Sequence, residues 1–164
     1  MGRIIPNEES WIAFSEVMPA NLAAPTEAEL SAVDVHNWTK QIVSLNASSS
    51  GNTVPTPDIG TMFETSVPGT SSAQFTLDVY RDDDPTKDLP FKTLKRGVKG
   101  VFYISRFGGT GPSKRPAAAE DLEVWPVQVT SRGSSALASN TAQMATITCS
   151  VPEEPQEDAV VAGP

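Results

Sequence analysis

The segment Gln74-Phe75-Thr76-Leu77-Asp78-Val79-Tyr80 alternates without a break, with Phe75, Leu77 and Val79 on one face and Gln74, Thr76 and Asp78 on the other. Successive side chains of a strand point to opposite faces, so this two-residue period builds a half-buried β-strand and cannot lay a single apolar stripe along a helix. Two later stretches repeat the pattern: residues 121–132 carry Trp125, Val127 and Val129, and residues 141–151 carry Ala145, Ile147, Cys149 and Val151. Residues 100–107 set Phe102 and Ile104 against Tyr103, and residues 11–17 and 40–46 supply two weaker strand-like runs. Between these runs lie most of the 11 Gly, 14 Pro and 32 Ser or Thr residues, a balance that predicts a mainly β chain of strands joined by turns. Its 164 residues suit one domain with a substantial core.

Helical signals are few. Thr26-Glu27-Ala28-Glu29 fits a capping box, which predicts one or two helical turns running through Leu30 to Val33. Phe91, Leu94 and Val98 fall at spacings of three and four, Asp88 is a good N-cap, and Lys95 and Arg96 precede Gly97 where a helix C-terminus favours cations. One amphipathic helix over residues 89–96, covering an edge of the sheet, is the expectation. Residues 47–61 are almost all small, polar or turn-forming, and a loop of that length inside a domain is uncommon unless it is disordered or functional. With residues 62–67 returning as a strand, the expected shape is a large hairpin carrying an extended tongue. Residues 1–10 are expected to form an N-terminal arm, residues 11–151 the domain, and residues 152–164, poor in apolar side chains, a mobile acidic tail.

Charge excludes some functions and points towards others. Twelve Lys plus Arg against twenty Asp plus Glu leave −8, which argues against high-affinity nucleic-acid binding through phosphate neutralisation. The charge is also segregated. Residues 1–80 hold two basic and nine acidic groups, residues 81–116 nine and four, and residues 117–164 one and seven, giving −7, +5 and −6. A basic block within an acidic chain is either a solvated face or a surface that attracts other copies of the chain.

Chemistry-bearing patterns are weak. Cys149 is the only cysteine, so no internal disulfide or cysteine-based metal cluster can form. His36 is the only histidine and lacks a triad context; consecutive Asp82, Asp83 and Asp84 lack the spacing of a calcium loop; Gly108, Gly109 and Gly111 lack the Lys-Ser/Thr of a phosphate loop. No catalytic, metal or cofactor site is expected. The N-terminus meets Pro6, Glu8 and Glu9 in place of an apolar signal region and no stretch is long enough to span a bilayer, so the expectation is a soluble protein made in a reducing cytoplasm.

The order of parts resembles the major tail tube proteins of long, flexible-tailed bacteriophages. The likeness is carried by Pro25-Thr26-Glu27-Ala28-Glu29-Leu30, the strand to Leu45-Asn46 and the tongue through Pro57-Asp58-Ile59-Gly60. It continues through Gln74 to Asp83, then Leu94-Lys95-Arg96-Gly97 and Gly100-Val101-Phe102-Tyr103, and covers roughly residues 5–151. The resemblance implies a β-sandwich or partly closed barrel with one flanking helix and a non-enzymatic virion subunit, assembled in the host cytoplasm. It further implies hexameric rings stacked into a tube around a tape-measure protein, ended by terminator and distal tail proteins, through which DNA passes without specific binding. Many members of that family carry an additional immunoglobulin-like domain at the C-terminus, which is not expected in this chain. The candidate self-assembly residues are Gly51, Asn52, Thr53, Val54, Pro55, Thr56, Pro57 and Asp58 in the tongue, and Lys92, Lys95, Arg96 and Lys99 in the basic block. The alternatives are a monomeric carbohydrate-binding β-sandwich using Trp11, Trp38 or Trp125, and a capsid decoration or tail-completion protein.

Overall fold

The alternating segments become the strands of one sheet, because each has an apolar face to bury and a polar face to leave outside. The computed structural model describes residues 9–60 and 62–163. Among these, the strands are β1 (Trp11–Ser15), β2 (His36–Asn37), β3 (Ile42–Pro55), β4 (Ser66–Tyr80), β5 (Lys99–Ser105), β6 (Asp121–Ser134), β7 (Met144–Ser150) and β8 (Gln156–Val160). The sheet is antiparallel, ordered β2-β1-β5-β6-β7-β4-β3, with β8 paired to β6 outside that path. Two short helices, α1 (Glu27–Leu30) and α2 (Leu89–Thr93), accompany it.

The hydrogen-bonded path does not close, yet the sheet curls strongly. Phe75 on β4 and Phe102 on β5 are three steps apart in the strand order, about 14 Å in a flat sheet at the usual spacing between strands. Their ring centroids lie 4.8 Å apart. The main core fills that curl: Phe14 stacks on Trp38 at 5.0 Å and Phe75 meets Trp125 at 5.9 Å. Gly100 is required where β5 passes Phe14, since a Cβ there would lie 2.4 Å from the ring.

A second, smaller core covers the outer side of β1, β5 and the first half of β6. There Trp11, Ala13, Val101, Tyr103, Leu122 and Val124 are sealed by Leu30 of α1 and by Ala159 and Val161. The expected capping box holds α1 in place: Thr26 Oγ1 accepts from the Glu29 amide at 3.2 Å, and Glu29 Oε2 accepts from the Thr26 amide at 2.8 Å.

Four expectations need correction. The tongue over residues 47–61 is not a loop, because β3 and β4 pair outwards as far as Pro55↔Ser66; backbone hydrogen bonds order a stretch that offers the core only Ala47, at its base. The residues Met62 to Thr65, expected in a strand, lie in the connecting loop. The helix over residues 89–96 has only five residues, and Asp88 makes no side-chain cap because its carboxylate is drawn to Arg81. The acidic tail is not free: β8 pairs with β6 at Asp121↔Val160 and Leu122↔Ala159. After Ser150 the chain passes two prolines and continues along the same β6 edge that β7 occupied, so the tail is ordered by backbone pairing and two small apolar side chains. The N-terminal arm falls mostly on residues 1–8, outside the described residues.

The ordered tail carries a direct prediction. Truncation after Pro155 removes Ala159 and Val161 and exposes Trp11, so we expect a loss of about 2–3 kcal/mol, or ~5–10 °C in Tm, with red-shifted tryptophan fluorescence. A truncated chain that melts like the full one would show that β8 contributes nothing.

Candidate functional site

Beyond the point where β7 stops pairing with β4, at Gln74↔Ser150, the β3–β4 hairpin runs on alone. Residues 49–55 and 66–73 form a two-stranded arm that projects about 23 Å from the body at the usual rise per strand residue. Apart from half-buried Ala73 at its base, its residues are exposed, and both of its outer edges are unpaired. Weak cross-strand contacts hold it: Ser50 and Ser72 hydroxyls meet at 3.1 Å, and near the tip Thr65 Oγ1 donates to the Thr56 carbonyl at 2.7 Å. An isolated two-stranded ribbon is marginally stable in water. The expected residues Gly51, Asn52, Thr53, Val54 and Pro55 lie on the arm, and Thr56, Pro57 and Asp58 begin its tip.

The tip carries residues that sequence reasoning did not single out. Ile59, Met62 and Phe63 are all exposed, as are Val54 and Val67 below them. Exposed apolar side chains grouped on an otherwise polar surface are, in general, a feature of protein contact sites. Their signal is present as three large apolar residues in a turn-rich stretch, but by sequence Ile59 reads as part of the tongue and Met62 and Phe63 as part of a strand.

Lys92, Lys95, Arg96 and Lys99 are exposed and none forms an ion pair among the described residues; Lys92 Nζ donates only to the Pro85 carbonyl, at 3.3 Å. They surround α2, which is pinned from beneath. The Arg81 guanidinium donates through Nε and Nη2 to the buried Asp88 carboxylate at 3.0 and 3.1 Å and lies 3.6 Å from the Phe91 ring centroid. Arg132 lies 4.3 Å from that centroid and donates Nη1 to the Phe91 carbonyl at 2.6 Å. Removing one member of a bidentate, largely desolvated pair leaves the other uncompensated. Asp88→Ala is therefore expected to cost about 2–3 kcal/mol in denaturant unfolding, discounted for the partial exposure of Arg81. An unchanged midpoint would contradict this.

The other outward feature is the free face of β3, β4, β7 and the second half of β6. Register places its side chains in rows: Ser44, Asp78, Thr146 and Gly133 across the strands, then Asn46, Thr76, Thr148 and Ser131, then Ser48, Gln74, Ser150 and Gln128. Asp78 is the one charge in these rows. Thr146 and Ser44 donate hydroxyls to its carboxylate at 2.6 and 2.7 Å, which holds its pKa below the usual range and keeps it ionised. Lys99, opposite Gln128 on β5, marks one margin; Tyr80 and Met144 mark the end.

Trp11, Trp38 and Trp125 are 3%, 1% and 1% exposed, so they cannot form a sugar platform. A cleft of about 1280 Å³ lies between the start of β1 and β3, lined by side chains such as Ile12, Ile42, Leu45 and Ile104. Among the described residues no group of three His, Cys, Asp or Glu could hold a metal, and no helix is long and apolar enough to cross a membrane. The Gly108-Gly109-Thr110-Gly111 segment is packed against its own loop: Gly109 donates to the Lys114 carbonyl at 2.7 Å, and a Cβ on it would strike the Arg115 carbonyl oxygen at 2.3 Å.

The architecture that carries these features is an open, curled antiparallel sheet with a projecting ribbon. A model of the phage tail tube protein family matches residues 5–164, and the chain belongs to that family: it is a structural tail tube subunit and not an enzyme. No curated protein sequence matches it. Solved structures with a similar fold include the SPP1 tail tube, at 10% identity and TM-score 0.63 over 96% of this chain and 81% of that one. A chain of the native gene transfer agent virion matches at 10% identity and TM-score 0.56, covering 97% of this chain and 100% of that one. A chain of the anti-feeding prophage baseplate, a six-fold symmetrised structure, matches at 9% identity and TM-score 0.58, covering 94% and 95%.

Proposed function

We propose that the subunit closes into six-copy rings that stack into the tail tube of a flexible-tailed phage, the conduit for the genome, and that the β3–β4 arm of each copy docks on a neighbouring copy. The observation that carries this reading is the arm itself: a ribbon with both edges open and exposed apolar residues at its tip, a marginal element alone that a second surface would stabilise. Different surfaces of one protomer meeting each other, a heterologous contact, is the geometry that builds filaments. Six-fold order is supported by the gene transfer agent tail, which was refined with C6 symmetry and has a similar fold.

In this reading Gly51 to Asp58 lie in the docking arm, and Lys92, Lys95, Arg96 and Lys99 face acidic surface on an adjacent copy. The exposed Glu153, Glu154 and Asp158 are of the required sign. The tube forms in the host cytoplasm around a tape-measure protein, with terminator and distal tail proteins at its ends. Negative-stain microscopy of the concentrated protein tests the reading. Long hollow tubes are expected; closed single rings would favour a tail-completion role, and monomers at all concentrations would contradict assembly by this chain.

A further inference from the structure

We infer that the cleft between the start of β1 and β3 is the seat for the arm tip of a second copy, with Ile59, Met62 and Phe63 entering among Ile12, Ile42, Leu45 and Ile104. The inference rests on the proposed docking of the arm and goes beyond it by assigning the receiving surface. A copy cannot seat its own tip there. β3 runs on from Leu45 in the cleft to Pro55 at the end of the arm, about 33 Å at the usual rise per strand residue. The Thr56 amide, donating to the Thr65 carbonyl at 2.8 Å, closes the tip at that far end.

Polarity agrees on both sides. The cleft wall is aliphatic, and Val43 and Phe107 on its margin are 41% and 65% exposed. Ile59 and Met62 stand fully exposed on the tip, and Phe63 largely so. An interface gathers aromatic, aliphatic and Met side chains at its centre and leaves charges to its rim. The basic surface around α2 is a weaker seat, because among the large apolar side chains of residues 87–99 only Leu89 is exposed.

The two rims are of opposite sign. Residues 49–73 carry Asp58 and Glu64, which flank the apolar tip, and no Lys or Arg. The residues lining the cleft include Lys40, Arg106 and Lys114 and no Asp or Glu. Arg106 is committed to Glu123 on β6, whose Oε2 accepts from its Nη2 at 3.1 Å. Lys40 and Lys114 are exposed and form no ion pair among the described residues. Residues 1–80 hold two basic groups against nine acidic ones, and one of the two sits on this rim. Opposite potentials of this kind fix the partner and the register of a contact. Tip and cleft are different surfaces, so each copy both gives and receives, and the contact propagates from copy to copy.

Cross-linking between two single-site variants tests the seat. Met62→Cys puts a thiol on the tip and Val43→Cys one beside the cleft, both at exposed positions, while the native Cys149 is buried with its pKa pushed up to about 12. Tubes grown from an equal mixture of the two variants and treated with a short bis-maleimide should give a covalent dimer that tubes of neither variant give alone. Ile59→Cys mixed with Phe107→Cys is the second pair, used if the first does not fold or assemble. Mixed tubes without the dimer would overturn the seat, and as much dimer from the tip variant alone would overturn it too, by showing that tips meet tips. A charge exchange reads the rims: Lys40→Glu with Lys114→Glu should raise the protein concentration needed for assembly at low salt about tenfold, and adding Asp58→Lys with Glu64→Lys should restore it. Assembly indifferent to the first pair of changes, or not restored by the second, would overturn the pairing. If the unmodified chain forms no tubes the tube reading fails, and if a chain without the arm forms them the arm reading fails; both are distinct from tubes that lack the cross-link.

Discussion

Replacing residues 50–72 by a two-residue Asn-Gly turn is expected to leave a protomer that folds and melts as before but forms no tubes. Ser49 and Ala73 face each other in register, so a tight turn of the type that suits twisted strands can join them there. The excised ribbon buries nothing in its own protomer and has no ion pair to the body among the described residues, so the change in unfolding free energy should stay within about 1 kcal/mol. Assembly is another matter, because both open edges and the Ile59, Met62 and Phe63 tip go with the deletion. Calorimetry and microscopy on one preparation would show the split. Tubes of ordinary length from the shortened chain would remove the arm from the assembly mechanism.

Phe102→Ala is expected to fail in the opposite manner, through the protomer itself. The ring is fully buried and lies 4.9 Å from Phe14, 4.8 Å from Phe75 and 6.2 Å from Trp38, at the place where the sheet curls onto itself. Truncating such a ring costs about 3–5 kcal/mol in transfer and cavity terms, a large part of the total stability of a small domain. A Tm lower by about 10 °C or more should follow in thermal unfolding, with tube yield falling because folded protomer is scarce. A melting point within a degree or two of the parent would mean the curl does not depend on this contact.

The two substitutions divide the molecule as its sequence does. Strands that bury one face announce themselves by alternation, so Phe75, Leu77 and Val79, and Ala145, Ile147 and Cys149, could be placed on the core side before any coordinates. The capping box was equally legible, because Thr26 and Glu29 satisfy one another locally. The arm was recognisable as an extension of unusual length, but its strands bury neither face, so no two-residue period marked them and they read as a loop. β8 escaped for a related reason: its seat depends on Ala159 and Val161 meeting a distant apolar patch, amid acids and prolines that resemble a free tail. α2 starts where expected, at Leu89, but ends early because Leu94 leaves helical geometry (φ −80°, ψ 65°) and is buried in the main core, while Asp88 gives its carboxylate to Arg81 and not to a cap. Of the candidate site, the segments were identified and the apolar tip was not.

The central claim is that the ribbon is incomplete until a neighbouring copy covers it, and amide hydrogen exchange measures that directly. Residues 49–55 and 66–73 should exchange quickly in the free protomer, where opening a marginal hairpin costs little, while β5 and β6 stay protected. In assembled tubes the same amides should slow to rates near those of the core strands. Equal exchange of the arm in protomer and tube, fast or slow, would contradict the account.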